Sequence, residues 1–340
     1  MVPVHILYVL EATEGGTRRH LRDLACGLPD GFSATVVVSP LRDPAFVRED
    51  RTAYQDAGVQ WIELPMRRGA GAGDIVAVHR LREILRRLRP DLIHAHSSKA
   101  GAVARLASRG DFPVVYTPHG FSLLMPGVVW PYRLFEAFAV RWTEAVICVT
   151  EEEIRLAERL GYPAGQIHLI RNGIAHSAPS PCVAANREGI GFFGRDAPQK
   201  GIDVLRACRS LPIRFFTDYP QSEAIALMRT VAVAAMPSRW EGCPYTLLEA
   251  WAAGTPVAAS AIGGFKELIR HGENGWLLPP DATPDAWERE LGNLLRDLPL
   301  REQLAQGGRR SLAAYTLSGM IDKTLSIYRA VLGGRGASLR

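Results

Sequence analysis

Short apolar runs alternate with amphipathic stretches through the first half of the chain. Val4–Leu10, Ala34–Ser39, Val59–Leu64, Asp91–His96, Val114–Thr117, Ala145–Thr150 and Gln166–Arg171 read as buried strands. Helical spacing falls between them, over Arg18–Gly27, Asp74–Leu88 and Ser98–Ser108, and again between the last two strands. This alternation predicts a parallel sheet covered by helices, with ligands at the carboxyl ends of its strands. The pattern breaks over residues 172–187, which are rich in Pro, Ser and Ala and read as a linker. A second series of strands follows at Gly189–Phe193, Ile213–Thr217, Val231–Met236 and Pro256–Ser260. Tyr245–Ala253 is a run of helix formers, with Pro244 suited to a first turn and Gly254-Thr255-Pro256 as a stop. Trp287–Leu298 and Tyr315–Leu332 also read as helices, and Gly333–Arg340 as a loose tail. The expected organisation is a first domain over 1–172, a linker over 173–188, a second domain over 189–314, and a helix over 315–332 that packs back on the first domain.

Composition narrows the class. With 340 residues and 47% apolar positions, the chain can bury a large core as an ordinary soluble protein. Its 40 Lys and Arg against 35 Asp and Glu leave +5, too mild a balance to indicate nucleic acid, and no nucleic-acid partner is expected. Cys26, Cys148, Cys182, Cys208 and Cys243 are scattered, which argues against a disulfide framework or a zinc site and suits a reducing cytosol. No signal peptide and no membrane span are expected, so the location expected is cytoplasmic.

Three strand ends in the first half carry unusual residues. Gly15-Gly16, expected in a loop after the first strand, lets a phosphate or sugar approach the backbone; the plain alternative is a tight turn. Ser97, Ser98 and Lys99 open a helix, where they can hold an anion or simply cap it. His94 and His96 before them are expected on opposite faces of their strand, which disfavours a metal pair. His119-Gly120 ends a third strand and can expose its ring. The apolar stretch Phe121–Tyr132, broken by Pro126, Gly127 and Pro131, reads either as buried or as a floor for an apolar acceptor. Arg80, Arg82, Arg86, Arg87 and Arg89 line one helix whose Leu81, Ile84, Leu85 and Leu88 turn inward. That face is either solvated or set against anionic lipid, with Arg18, Arg19 and Arg22 adding to the same field.

In the second half, Gly194-Arg195 to Lys200-Gly201 follows a strand and precedes a helix. A fork and a point charge there suit a diphosphate. Glu241 and Glu249 stand eight positions apart around the start of the Tyr245 helix, itself a ready anion site. Glu249 lies among Leu247, Leu248, Ala250 and Trp251, an unusual setting for a solvated charge. Cys243 has no His near it in sequence and reads as a spacer.

The run Pro237–Val257 resembles the glutamate–seven–glutamate signature of retaining GT-B glycosyltransferases of family 4. His96-Ser97-Ser98-Lys99-Ala100-Gly101 is similar to a run in capsule and exopolysaccharide glycosyltransferases, and the Arg195–Lys200 loop resembles that family's diphosphate loop. The resemblance implies an α/β GT-B fold, with two Rossmann-like parallel-sheet domains facing across a cleft. It implies a nucleotide-sugar donor, UDP- or GDP-linked, and a saccharide or lipid-linked saccharide acceptor at the inner face of the membrane. Glu241 and His119 would be catalytic. Arg195, Lys200, Glu249, Gly242, Cys243 and Gly16 would line the donor, and Gly15, Ser97, Ser98 and Lys99 would be candidates for acceptor or anion contacts. Neither a metal nor a cofactor would be needed. The chain departs from the family pattern in two places: Ala175 replaces the usual acid, and the stretch between Lys200 and Pro237 is short. A sugar-nucleotide epimerase and a degenerate scaffold subunit remain as alternatives to a transferase.

Overall fold

The computed structural model describes residues 2–42, 46–121, 130–175, 187–217 and 219–338. The chain divides into two compact units, the first holding Met1–Arg171 with Met320–Arg340 and the second Asn172–Gly319. Most of the expected linker, residues 176–186, and most of the apolar stretch after Phe121 lie outside the described residues.

The first unit alternates strictly. β1 (Val4–Leu10) leads to α1 (Gly15–Cys26), β2 (Phe32–Val38), α2 (Phe46–Asp56) and β3 (Gln60–Glu63). Next come α3 (Gly73–Leu88), β4 (Leu92–His96), α4 (Ser98–Ser108) and β5 (Val114–Thr117). α5 (Trp130–Ala139), β6 (Ala145–Cys148), α6 (Glu151–Arg159) and β7 (Ile167–Leu169) complete the series. All seven strands pair in parallel, in the order β3-β2-β1-β4-β5-β6-β7. The order reverses direction between β1 and β4, and that is where such sheets bind ligands. β1 is buried along Ile6–Leu10 and β4 along its whole length, as strands covered by helices on both faces require.

The second unit holds β8 (Ile190–Phe193), α7 (Ile202–Ala207), β9 (Ile213–Phe216), α8 (Ala224–Met228), β10 (Val233–Met236) and α9 (Tyr245–Ala253). β11 (Val257–Ser260), α10 (Gly263–Leu268), β12 (Trp276–Leu278), α11 (Pro284–Arg296) and α12 (Leu298–Leu312) follow. Its five parallel strands run β12-β11-β10-β8-β9, so direction reverses between β8 and β10. The core is built on Ile190, Phe192, Val233, Ala235 and Ala258 against Trp287, Leu291 and Leu304.

α13 (Leu317–Ser338) closes the chain. It continues through residues read from the sequence as a loose tail. Gly333 and Gly334 do not stop it, because helix already established on their N-terminal side outweighs the roughly 1 kcal/mol that a glycine costs in a helix. From Met320 onward it belongs to the first unit, where the hydroxyl of Tyr328 meets His94 Nδ1 at 2.5 Å.

A buried ion pair fixes α5. Arg105, fully buried on α4, donates to both carboxylate oxygens of Glu136 at 2.9 and 3.0 Å. It also donates to the Gly101 carbonyl and the Tyr162 hydroxyl, and its guanidinium lies 4.3 Å from the Tyr116 ring centre. Removing one partner strands a charge in the core, so Glu136→Ala is expected to lower unfolding free energy by roughly 3–5 kcal/mol. Urea unfolding followed by circular dichroism checks this, and a loss under about 1 kcal/mol would contradict it.

Candidate active site

Both groups of candidate residues sit at strand ends beside the reversal points. In the second unit, the loop after β8 carries Lys200 and the loop after β10 carries Glu241. Lys200 Nζ reaches Glu241 Oε1 at 2.5 Å, and Ser238 Oγ donates to the same oxygen at 2.9 Å. The two side chains are 16% and 8% exposed, so the pair is largely shielded from water. The Lys200 stem packs against Gly194, which holds a φ of 150° that few side chains adopt.

Backbone contacts pin the Glu241 loop on three sides. Asn172 Nδ2 donates to the Cys243 carbonyl at 2.6 Å, Gly264 N–H to the Glu241 carbonyl at 3.2 Å, and Arg239 N–H to the Gln199 carbonyl at 2.8 Å. Two approaches are too close for any side chain. A Cβ on Gly264 would stand 1.5 Å from the Gly242 oxygen, and one on Gly201 would stand 2.0 Å from the Pro237 oxygen. α9 starts at Tyr245 without a side-chain cap, so its positive end faces this loop. Glu249 is 4% exposed on α9, buried as its apolar neighbours suggest. Arg195 is exposed on the loop after β8. Cys243 is buried, and the four cysteines among the described residues are free thiols.

In the first unit the outcome differs from the sequence reading in four ways. Gly15 and Gly16 form the first turn of α1 rather than a loop, Gly15 holding a φ of 61°. Lys99 is committed to Asp74 and to the Gly69 carbonyl, each at 2.6 Å, and does not stand as a cation at the α4 start. Ser97 takes the capping role that the sequence allowed, its Oγ accepting from Ala100 N–H at 3.4 Å, and Ser98 begins the helix. Arg18 and Arg22 bind the fully buried Asp50, and Arg19 binds Asp23, so these arginines are held in ion pairs.

The fourth difference is the histidines. Residues two apart on a strand share a face, and the His94 and His96 rings lie 4.0 Å apart. His96 Nδ1 is 3.0 Å from His119 Nε2, and His20 of α1 packs edge-on to His119 at 4.5 Å. His94 bonds the Tyr328 hydroxyl and Thr117 Oγ1. His119 itself has a φ of 54°, a left-handed conformation unusual outside glycine. The buried Glu153 holds that bend, accepting the N–H of Gly120 on one oxygen and that of Val149, at 2.6 Å, on the other. His20, Glu153, Ser238 and Asn172 were not singled out from the sequence. Asn172 reaches Cys243 71 residues away and Glu153 reaches Gly120 33 residues away, which no local spacing marks, whereas Ser238 lies only three residues from Glu241.

Burial, with neighbouring imidazoles adding to it, lowers the basicity of His94, His96 and His119 well below the ordinary 6.5. The sign follows: the unfolded chain takes up protons that the folded one refuses. The stability contribution is complete above pH 6.5 and declines below it, by about 1.4 kcal/mol per pH unit for each ring that stays neutral. Urea midpoints at pH 7.5 and 5.5 should therefore separate, and His94→Gln should narrow the gap. A midpoint unchanged between these pH values would refute it.

Two all-parallel α/β units, each with polar loops gathered where strand order reverses, define a protein of the GT-B class. The model of the glycosyl transferase 4-like domain matches residues 15–173, and that of glycosyl transferases group 1 matches residues 212–311. A D-inositol 3-phosphate glycosyltransferase of Jonesia denitrificans is 28% identical over 305 residues, covering 70% of this chain and 71% of that one. The UDP-Gal:alpha-D-GlcNAc-diphosphoundecaprenol alpha-1,3-galactosyltransferase of Escherichia coli is 26% identical over 307 residues, covering 75% and 79%. Among solved structures, Anabaena HepE in complex with UDP and glucose shares the fold at a TM-score of 0.79. It is 20% identical, with 96% of this chain and 100% of that chain covered. The chain belongs to the GT-B glycosyltransferases of family 4.

Proposed function

We propose that this glycosyltransferase moves a sugar from a UDP-sugar to a lipid-linked saccharide, with retention at the anomeric carbon, in the making of a surface polysaccharide. The observation that carries the donor assignment is the meeting of Lys200 and Glu241 where the second sheet reverses. A donor arriving there finds a cation, a carboxylate and an uncapped helix start together. Lys200, with Arg195 on the same loop, would oppose the charge that grows on the diphosphate as the anomeric C–O bond breaks. Lys200 would then exchange its bond to Glu241 for a phosphate oxygen. Glu241, released, would accept from sugar hydroxyls and stabilise an oxocarbenium-like centre, and Glu249 would accept from the ribose. The departing phosphate would take the acceptor proton as the new bond forms on the same face. Positive charge in this account comes from side chains, so the reaction is read as metal-independent.

The choice of UDP draws on the UDP and glucose named with HepE. The lipid-linked acceptor draws on the diphosphoundecaprenol named for the Escherichia coli relative. Peripheral membrane contact is supported by Ile75 and Val76, 75% and 52% exposed on α3, with Arg80, Arg86 and Arg87 exposed on the same helix. No helix among the described residues is long and apolar enough to cross a membrane.

The test is thermal shift and nucleotide release with UDP-, GDP-, ADP- and dTDP-sugars, together with sedimentation on anionic and neutral vesicles. A stabilising shift confined to the UDP series and slow UDP release are expected. Stabilisation by GDP-sugars alone would overturn the donor, and equal sedimentation on neutral vesicles would overturn the lipid contact.

A further inference from the structure

We infer that His20, His96 and His119 form a binding site for one divalent transition-metal cation of the zinc type. The three residues come from α1, β4 and the loop after β5, and they converge where the first sheet reverses. Each presents a ring nitrogen, and these three nitrogens lie within 4.8 Å of one another. Around a tetrahedral zinc, with Zn–N near 2.0–2.1 Å, ligand nitrogens stand roughly 3.4 Å apart. The His96–His119 pair, at 3.0 Å, is already close to that spacing. The other separations, which lie within 4.8 Å, would close by ring rotation on binding.

A second observation points to a missing partner. His96 is fully buried, and its Nε2 has no hydrogen-bond partner. A buried imidazole nitrogen without a partner is costly to the fold, and a bound cation would supply one. The donor set selects the metal class. Three neutral imidazoles without a carboxylate suit zinc, cobalt, nickel or copper, and they do not suit the oxygen-seeking magnesium or calcium. His119 is half-buried while His20 and His96 are buried, so a fourth coordination position opens toward solvent.

The surroundings hold the ligands in place. Glu153 fixes the backbone at Gly120 and so the bend that aims His119. His94 is not a ligand, because both its nitrogens are engaged, but it packs against His96 and limits that ring's freedom. The site lies wholly within the first unit and does not rest on the donor assignment.

The experiment uses the full chain after dialysis against chelator, titrated with zinc sulfate, cobalt chloride and magnesium chloride. Calorimetry should give one zinc per chain and no magnesium heat, and cobalt should give the intense visible bands of a four-coordinate ion. His20→Ala, verified as folded by circular dichroism, should weaken zinc at least 100-fold. His79→Ala, on the exposed face of α3, should leave it unchanged. Absence of zinc binding, a pale six-coordinate cobalt spectrum, or undiminished affinity in His20→Ala would each overturn the site. Should His20→Ala fail to fold, the cobalt spectrum of the unaltered chain decides alone.

Discussion

Lys200→Ala loses nucleotide-dependent stabilisation and leaves the resting protein weaker. Two effects combine. Without donor, the mutation strips Glu241 of the cation at 2.5 Å while the carboxylate remains 8% exposed. An uncompensated charge so placed costs about 1–3 kcal/mol, with Ser238 Oγ as its remaining partner. With donor, the diphosphate loses a charge-assisted contact, for which about a 100-fold fall in affinity is expected, or about 2.7 kcal/mol. The double variant Lys200→Met/Glu241→Gln separates the two. It should recover most of the resting stability, because neither buried charge remains, and none of the nucleotide response. Melting curves with and without UDP read both quantities. Unchanged nucleotide affinity in Lys200→Ala would remove this lysine from the donor site.

Gly264→Ala is the second large effect, and it is steric. The added methyl would lie 1.5 Å from the Gly242 oxygen and 3.3 Å from Pro244 Cδ. Neither neighbour is the tip of a flexible side chain, so the Glu241–Pro244 loop must move as a body. The Gly264 N–H bond to the Glu241 carbonyl goes with it. A loss of roughly 3–5 kcal/mol in stability is expected, or roughly 10 °C in melting temperature. Turnover should fall by about 100-fold or more, since a displacement of an ångström at a reacting group suffices for that. Gly272→Ala is the control. Its φ of 77° carries a left-handed penalty of roughly 1–2 kcal/mol, but its Cβ would meet open space. Equal effects at the two glycines would refute the steric account.

Why these glycines matter was not legible in the sequence, although much else was. Parallel strands buried on both faces announce themselves as apolar runs, and each expected strand was found within about two residues. α9 begins and ends where its helix formers do, stopped by Gly254 at a φ of 63°. α12 was missed because Gly307 and Gly308 interrupt its helix formers. A Cβ on Gly307 would stand 1.9 Å from the Glu273 oxygen, and one on Gly308 2.3 Å from the Trp251 ring. Close packing there outweighs propensity, and nothing local reveals it. α2 and α5 were missed for a related reason. Their anchors, Asp50 to Arg18 and Glu136 to Arg105, are ion pairs 32 and 31 residues apart. Of the candidate site, Lys200 and Glu241 were legible as types at strand ends, but their contact 41 residues apart was not. The histidine cluster escaped for a simpler reason, a misassigned strand face at His94 and His96.

The last helix bears on how the protein is made. Tyr328 supplies the hydroxyl that His94 uses, and Thr324 and Leu325 are buried with it. The first unit is therefore discontinuous, lacking a piece of its interior until the residues from Met320 onward have been translated. A ribosome adding about 5–20 residues per second completes the second unit while the first still waits for its closing helix. The earliest-born half of the chain is thus the last to mature. A fragment ending at Arg171 is an unfinished core.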